Sequence, residues 1–450
     1  MTPTVRPLWQ RFLVFLVPLM ASNILQSLSG TINNIYVGQL IGVEALAAAS
    51  TFFPIVFFLM SFIIGLSSGS TVLIGQAWGA RNIDKVKEVT GTTLTVTFLA
   101  GLVVAVLGGF FAPQLMGILG APANIVDLAT SYGRIFLIGM PAFFLFLVVT
   151  SVLRGVGDTV TPFVALIISI IVGLVTTPAL ILGWFGLPKI GVDAAAVASI
   201  AGFISVLVFL FFYLRIRKHA LAPDRALLKH LRINGELLML ILKLGVPAGV
   251  QMVVSSVAAI VVVGLVNHFG SDATAAYGAV NQVLSYVQFP AMSIGIAASI
   301  FGAQAIGAGQ SGQLRAITRT GLVMNIIITG ALILLAYLFS EHIVRLFLTD
   351  SHVVEMTQTL LHIVLWSVLL FGASVVLTGI MRASGTVLVP MIISLATILG
   401  VELPGAILFS HYYGLNGIWM GYALSFTTML VLQAAYYWFF WRRKRVVALI

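Results

Sequence analysis

The chain has 450 residues, 60% hydrophobic and 8% charged, with a formal net charge of +10 and no cysteine. Soluble globular domains carry roughly 25% charged residues, and the apolar runs here recur along the whole length, which excludes both a soluble fold and a singly anchored domain. The missing cysteines exclude disulfides, iron–sulfur clusters and thiolate zinc sites. A β-barrel is excluded because its strands alternate polar and apolar residues instead of running apolar without a break.

An apolar run of about 20 residues crosses a hydrocarbon core of roughly 30 Å as a helix. Twelve such spans are predicted. The first, 11–37, carries Asn23, Gln26, Asn33 and Asn34. It lacks a clear small-residue cleavage site and has a counterpart later in the chain, so it reads as a retained helix and not a signal peptide. Spans 45–73, 90–112 and 131–153 follow. Then come 162–185, with Thr176 and Thr177 ahead of Pro178, and 193–214, with Ser199. A hydrophilic stretch from about Arg215 to Glu236 separates these six from six more. The second set is 238–266 (Gln251, Ser255), 275–301 (Asn281, Gln282, Gln288), 320–348, 354–380 (His362), 388–410 (Glu402) and 417–440. Pro162 and Pro390 each open a span, where a missing N–H costs nothing. The run Tyr436–Trp441 reads as an interfacial aromatic belt ahead of a basic stop.

The two sets are copies. At an offset of 228 residues, Arg154-Gly155-Val156-Gly157-Asp158-Thr159-Val160-Thr161-Pro162 lies over Arg382-Ala383-Ser384-Gly385-Thr386-Val387-Leu388-Val389-Pro390. The same offset places Gln76-Ala77-Trp78-Gly79-Ala80 on Gln304-Ala305-Ile306-Gly307-Ala308, and Lys87 on Arg315. Counted over alternate connecting segments, 20 of the 23 Lys and Arg fall on the side of the two termini; Arg134, Lys189 and Arg345 fall on the other. Basic residues stay cytoplasmic, so both termini are expected in the cytoplasm and the two copies are parallel repeats. The expected fold class is an all-α polytopic membrane protein with 12 transmembrane helices in two pseudo-symmetric six-helix bundles. Its parts are an N-lobe (1–214), a cytoplasmic linker (215–237) and a C-lobe (238–450). The positive charge is scattered over short loops with no folded basic domain behind it, which fits topogenesis and anionic headgroups better than nucleic acid.

With its 6+6 layout, "GQAWGARN" after span 2, "LRGVGDTVTP" between spans 4 and 5, and the weaker "AQAIGAGQ" and "MRASGTVLVP" of the second half, the chain resembles the multidrug and toxin extrusion (MATE) family over roughly 10–440. The resemblance implies a bacterial inner-membrane antiporter. Such a protein expels bulky, amphipathic, usually cationic compounds while H⁺ or Na⁺ runs inward. Two lobes around a central cavity rock between inward-open and outward-open states. It implies no cofactor beyond the coupling ion, small-molecule and lipid partners, no nucleic acid, and a monomer.

Ionisable groups inside spans are costly and usually functional. Of the 13 acids only Glu402 sits well inside a span. It lies 12 residues after Pro390, or roughly 18 Å along a helix, just beyond the midplane. A carboxyl there binds and releases a proton, or pairs with a cationic drug; otherwise it locks two helices together. Pro404 loosens the helix beside it, as Pro178 does in the first copy. His362, 19 residues before Met381, suits proton relay, although a hydrogen-bonded histidine near the outer boundary is the plainer reading. Polar residues at similar depth complete the cavity candidates: Gln26, Asn33, Asn34, Thr176, Thr177, Ser199, Gln251, Ser255, Asn281, Gln282 and Gln288. Each is equally well read as helix–helix glue.

The chain departs from the family pattern at its acids. Many bacterial members carry an aspartate in span 1, where this chain has Asn33. A second pattern, "N-x-x-x-D-P" in span 5, becomes Gly173 and Thr177 before Pro178, and its span 6 threonine is matched by Ser199. A span 7 glutamate of another branch falls near Ser255. Coupling is therefore expected to fall to Glu402. There is no G-x-x-x-x-G-K-[ST], so ATP does not drive the cycle. A lipid or lipid-linked oligosaccharide flippase is the alternative, but it calls for a strongly cationic cavity. An intramembrane enzyme is set aside for want of H-E-x-x-H or a deep Ser/Lys or Ser/His pair.

Overall fold

The computed structural model describes residues 7–120 and 122–450. Arg6, counted above among the basic residues, lies outside them. No strand occurs among the described residues. The helices of the first half are α1 (Leu8–Leu40), α2 (Val43–Gly79), α3 (Ile83–Ile118), α4 (Val126–Ile138), α5 (Met140–Gly155), α6 (Val160–Leu182) and α7 (Asp193–Ile216). A short α8 (Arg225–Lys229) lies in the connecting segment. Then come α9 (Gly235–Asn267), α10 (Ser271–Gly307), α11 (Leu314–Met324), α12 (Gly330–Leu338), α13 (Ser340–Arg345), α14 (Ser351–Ala383), α15 (Leu388–Thr397), α16 (Leu403–Tyr413) and α17 (Leu415–Phe439). Single π-helical turns join α11 to α12 (Asn325–Thr329) and α15 to α16 (Ile398–Glu402).

Eleven helical stretches are long and apolar enough to cross a membrane, and the bent pair α4–α5 makes a twelfth. The chain is a multi-pass membrane protein. Two spans differ from the sequence expectation. The fourth, drawn as one helix over 131–153, turns by 51° between α4 and α5. Pro141 follows at the second position of α5 and has no N–H to continue the ladder. The ninth, drawn to residue 348, ends at Leu338, and α13 is a separate turn. There Ser340 is bonded by Gln358 Nε2 and lies 3.1 Å from His362 Nε2, which fixes the chain outside the helix.

Several helix starts are capped by side chains written into the sequence. Asn82 accepts from the Lys85 N–H at 3.0 Å, so Lys85, Lys87 and Glu88 ride on α3 instead of in a loop. Asp158 accepts from Thr161 N–H at 2.9 Å at the start of α6, and Asp350 from His352 N–H at 2.8 Å ahead of α14. The repeat is visible in the backbone as well. Gly157 (φ 93°) and Gly385 (φ 82°) take the same left-handed turn before α6 and α15, a region open to glycine at no steric cost. Arg81 (φ 57°) and Gly309 (φ 71°) are a second equivalent pair.

By internal contacts the chain divides into two compact units. One comprises Met1–Met20, Gly79–Arg81 and Val250–Ile450; the other comprises Ala21–Trp78 and Asn82–Gly249. In the first, α10 and α14 approach so closely that a Cβ on Gly379 would collide with the Gly295 carbonyl oxygen. One apolar cluster gathers Phe12, Leu16, Ile294, Ile380 and Met381, and another gathers Tyr277, Val280, Leu361, Val364 and Trp419. In the second unit, a Cβ on Gly101 of α3 would meet the Pro141 backbone at 2.7 Å, and one on Gly202 of α7 would meet Ser169 Oγ of α6 at 2.8 Å. Lipid tails are as apolar as the side chains, so packing of small residues holds such helices together.

Candidate coupling site

Glu402 closes the wide turn Ile398–Glu402, and Pro404 is the second residue of the helix that follows. Proline lacks the N–H, and its ring crowds the carbonyl four residues back, here that of Gly400. The interrupted ladder is taken up by the π turn. The result is a side chain only 7% exposed that faces α17, where Ser425 Oγ donates to Glu402 Oε2 at 3.1 Å. Among the described residues, no basic side chain forms an ion pair with it.

A chain of aromatic side chains continues from the same stretch of α17. Tyr422 lies one turn before Ser425 on α17, and its hydroxyl lies 3.4 Å from that of Tyr277 on α10. The rings of Tyr277, Trp419 and Tyr422 follow one another with centroids 5.1 and 5.2 Å apart. Trp419 is 1% exposed. Its indole Nε1 has no hydrogen-bond partner among the described residues. A buried carboxyl with one hydroxyl donor can hold and release a proton, and its ionised form attracts an organic cation.

His362 stands apart from this group. Its side chain is exposed, with Nε2 3.1 Å from Ser340 Oγ at the start of α13. Its ring packs 5.0 Å from that of Tyr337, whose hydroxyl donates to the His362 carbonyl at 2.8 Å. In the other unit, Thr177 is 1% exposed and donates to Asn33 Oδ1 at 3.4 Å, so two of the sequence candidates meet. Thr176 is half-buried, and Gln26 and Asn34 are exposed. Ser199 turns back onto the Ala195 carbonyl of its own helix at 2.8 Å. On α9 and α10, Gln251, Asn281, Gln282 and Gln288 are half-buried and Ser255 is exposed.

Sequence reasoning passed over Ser425, Tyr422 and Tyr277. A signal for Ser425 existed. Helices α16 and α17 are joined at Gly414, and Glu402 and Ser425 lie about equally far from that joint, which sets them opposite each other in an antiparallel hairpin. It also passed over Asn325, 1% exposed, which donates to the Leu369 carbonyl at 3.0 Å and accepts from Thr329 Oγ1 at 3.0 Å. Gly372 makes the room: a Cβ there would collide with the Asn325 side chain.

Among the described residues, no cluster of three or more His, Asp and Glu could hold a metal ion. The MatE family model matches residues 18–179 and, separately, 247–408. The chain is 47% identical over 444 residues to the probable multidrug resistance protein YoeA of Bacillus subtilis (strain 168), a match covering 98% of this chain and 96% of the relative. It is 27% identical over 403 residues to an FAD transporter of Shewanella oneidensis, covering 89% of this chain and 88% of that one. Among solved structures, a mutant of the Vibrio cholerae MATE transporter VcmN superposes with a TM-score of 0.89 at 20% identity, over 97% of this chain and 98% of that one. At that identity the likeness is one of fold.

Proposed function

Because the chain belongs to the MATE family, whose members are membrane transporters and not enzymes, we propose that it is a secondary active antiporter of a bacterial inner membrane, exporting amphipathic cationic drugs or toxins in exchange for H⁺. The lobes are residues 1–214 and 238–450, alternating in access to the two faces, with both termini in the cytoplasm. The names of multidrug resistance relatives support drug export. Cargo charge is not carried by family membership alone, since a relative is named for carrying FAD. It is argued instead from the site, where the deep charge is one acid and no Lys or Arg.

The observation that carries this reading is the isolated Glu402–Ser425 pair. Ionised, Glu402 attracts a cationic drug, and in a low-dielectric interior that attraction is strong. Protonated, it has no charge to offer and the drug leaves. The carboxyl cannot serve both cations at once, so uptake of one expels the other. H⁺ is favoured over Na⁺ because hard metal cations gather about six oxygen ligands, whereas Glu402 and Ser425 supply few. The polar group of Asn33 and Thr177 carries no titrating side chain.

The test uses purified protein in proteoliposomes. Glu402→Gln is expected to abolish proton release on drug addition and to cut drug transport at least about 10-fold. Ser425→Ala is expected to impair transport less. Full activity of Glu402→Gln overturns the role of Glu402. Transport driven by an imposed Na⁺ gradient, and not by H⁺, overturns the choice of ion.

A further inference from the structure

The segment joining α7 to α9 carries chemistry that transport does not use. Four of the five acids around it are engaged. Asp224 Oδ2 takes the Lys87 ammonium, and Asp84 Oδ1 lies 3.1 Å from His230 Nε2. Asp158 Oδ2 lies 3.7 Å from His219 Nε2. Glu88 takes Lys85 Nζ and Asn234 Nδ2, both at 2.8 Å. Thr92 Oγ1 donates to the Arg232 carbonyl at 3.2 Å. These bonds pin the segment against the start of α3 and the turn before α6. Of these five, Glu236 alone is exposed with no ion-pair partner among the described residues.

The bases behave oppositely. Arg215, Arg217, Lys218, Arg225, Lys229 and Arg232 are all exposed, and none forms an ion pair among the described residues. Among them stand apolar side chains that are also bare: Ile216 (77% exposed), Leu228 (58%), Leu231 (44%) and Ile233 (48%). The whole plate sits where α7 ends and α3 and α9 begin, which is where a headgroup layer must pass if these helices span.

We propose that this linker is a docking surface for acidic phospholipids, its cations on the headgroup phosphates and its apolar side chains at the headgroup–acyl boundary. Clusters of four to eight Lys and Arg beside a span are drawn to anionic leaflets, and apolar residues interleaved with cations are the mark of a segment lying in an interface. A nucleic acid would meet the same charges but offers no acyl layer to the four apolar side chains, and the position beside three helix ends at the headgroup level favours lipid over an acidic protein. The proposal stands whether or not Glu402 couples transport, and its test does not read transport.

The full chain is placed in nanodiscs of phosphatidylcholine alone, or with about 30% phosphatidylglycerol, and hydrogen exchange over 215–234 is compared. Exchange is expected to slow at least about 5-fold in the acidic discs, an effect lost at high salt because the Debye length contracts. The variant R225Q/K229Q/R232Q is expected to show no such slowing, with an unchanged melting temperature. If that variant does not fold, R215Q/R217Q/K218Q is read in the same way. Equal exchange in both discs, slowing in the charge variants as large as in the wild type, or equal slowing by soluble glycerophosphoglycerol with neutral discs would each overturn the proposal.

Discussion

Arg81 and Gly309 occupy the same place in the two repeats and the same left-handed backbone, at φ 57° and 71°. Only one of them is a residue suited to it, since a Cβ there costs roughly 1–2 kcal/mol. Gly309→Ala is therefore expected to lower stability by about 1 kcal/mol. Arg81→Ala, at a position that already bears the strain, is expected to stay within about 0.5 kcal/mol of the wild type. Thermal unfolding in detergent micelles compares the two, and equal losses would show that Arg81 is not strained. Glu402 is the other single-residue lesson. Its depth was plain from sequence because it is the one acid inside an apolar run. Its partner was not, because Ser425 in isolation looks like any small polar residue in a membrane helix and takes its meaning only from the hairpin.

Among the elements, the connecting segment answers to pH. Burial holds the His219 imidazole below its usual 6.5, with the Asp158 charge opposing. For Asp224, burial alone would raise the carboxyl, but the Lys87 hydrogen bond and the Leu227 N–H outweigh it and hold the group below its usual 3.8. Both groups therefore favour the deprotonated form in the folded segment. The part due to His219 is fully present above about pH 6.5 and is lost as the pH falls through the lower folded value. The part due to Asp224 is lost only below the ordinary carboxylate range. Hydrogen exchange over 217–234, corrected for intrinsic rates, should quicken between pH 7.5 and 5.5 in the wild type and change less in His219→Gln. A pH-independent rate would contradict this account. Spans were legible at this scale because continuous apolarity needs no partner to be recognised. The bend between α4 and α5 and the end of α12 were not, because a continuous apolar run looks the same whether or not the helix inside it is broken.

For the whole molecule, the lopsided distribution of basic residues predicts sidedness. The chain has no cysteine, so single cysteines introduced at Lys189 and Arg225 report directly. An impermeant maleimide added to intact cells is expected to label Lys189→Cys and to leave Arg225→Cys unlabelled until the cells are opened. The reverse pattern would invert the proposed topology and the direction of every proton step with it. The duplication, the span number and the family were readable from the chain because they are properties of its full length. The chemistry of coupling was not, because both acid positions of the family pattern in the first copy are filled by uncharged residues.

Glu402 and Ser425 find each other only by counting outward from the same bend at Gly414, whose backbone (φ 59°, ψ −141°) is glycine-like. The bend is in effect a ruler. One extra residue in it would swing everything beyond by about 100°, a single step of a 3.6-residue helix, and carry the hydroxyl away from the acid with neither residue altered. An insertion at that bend would thus part the two groups of the proposed switch while keeping both letters of it.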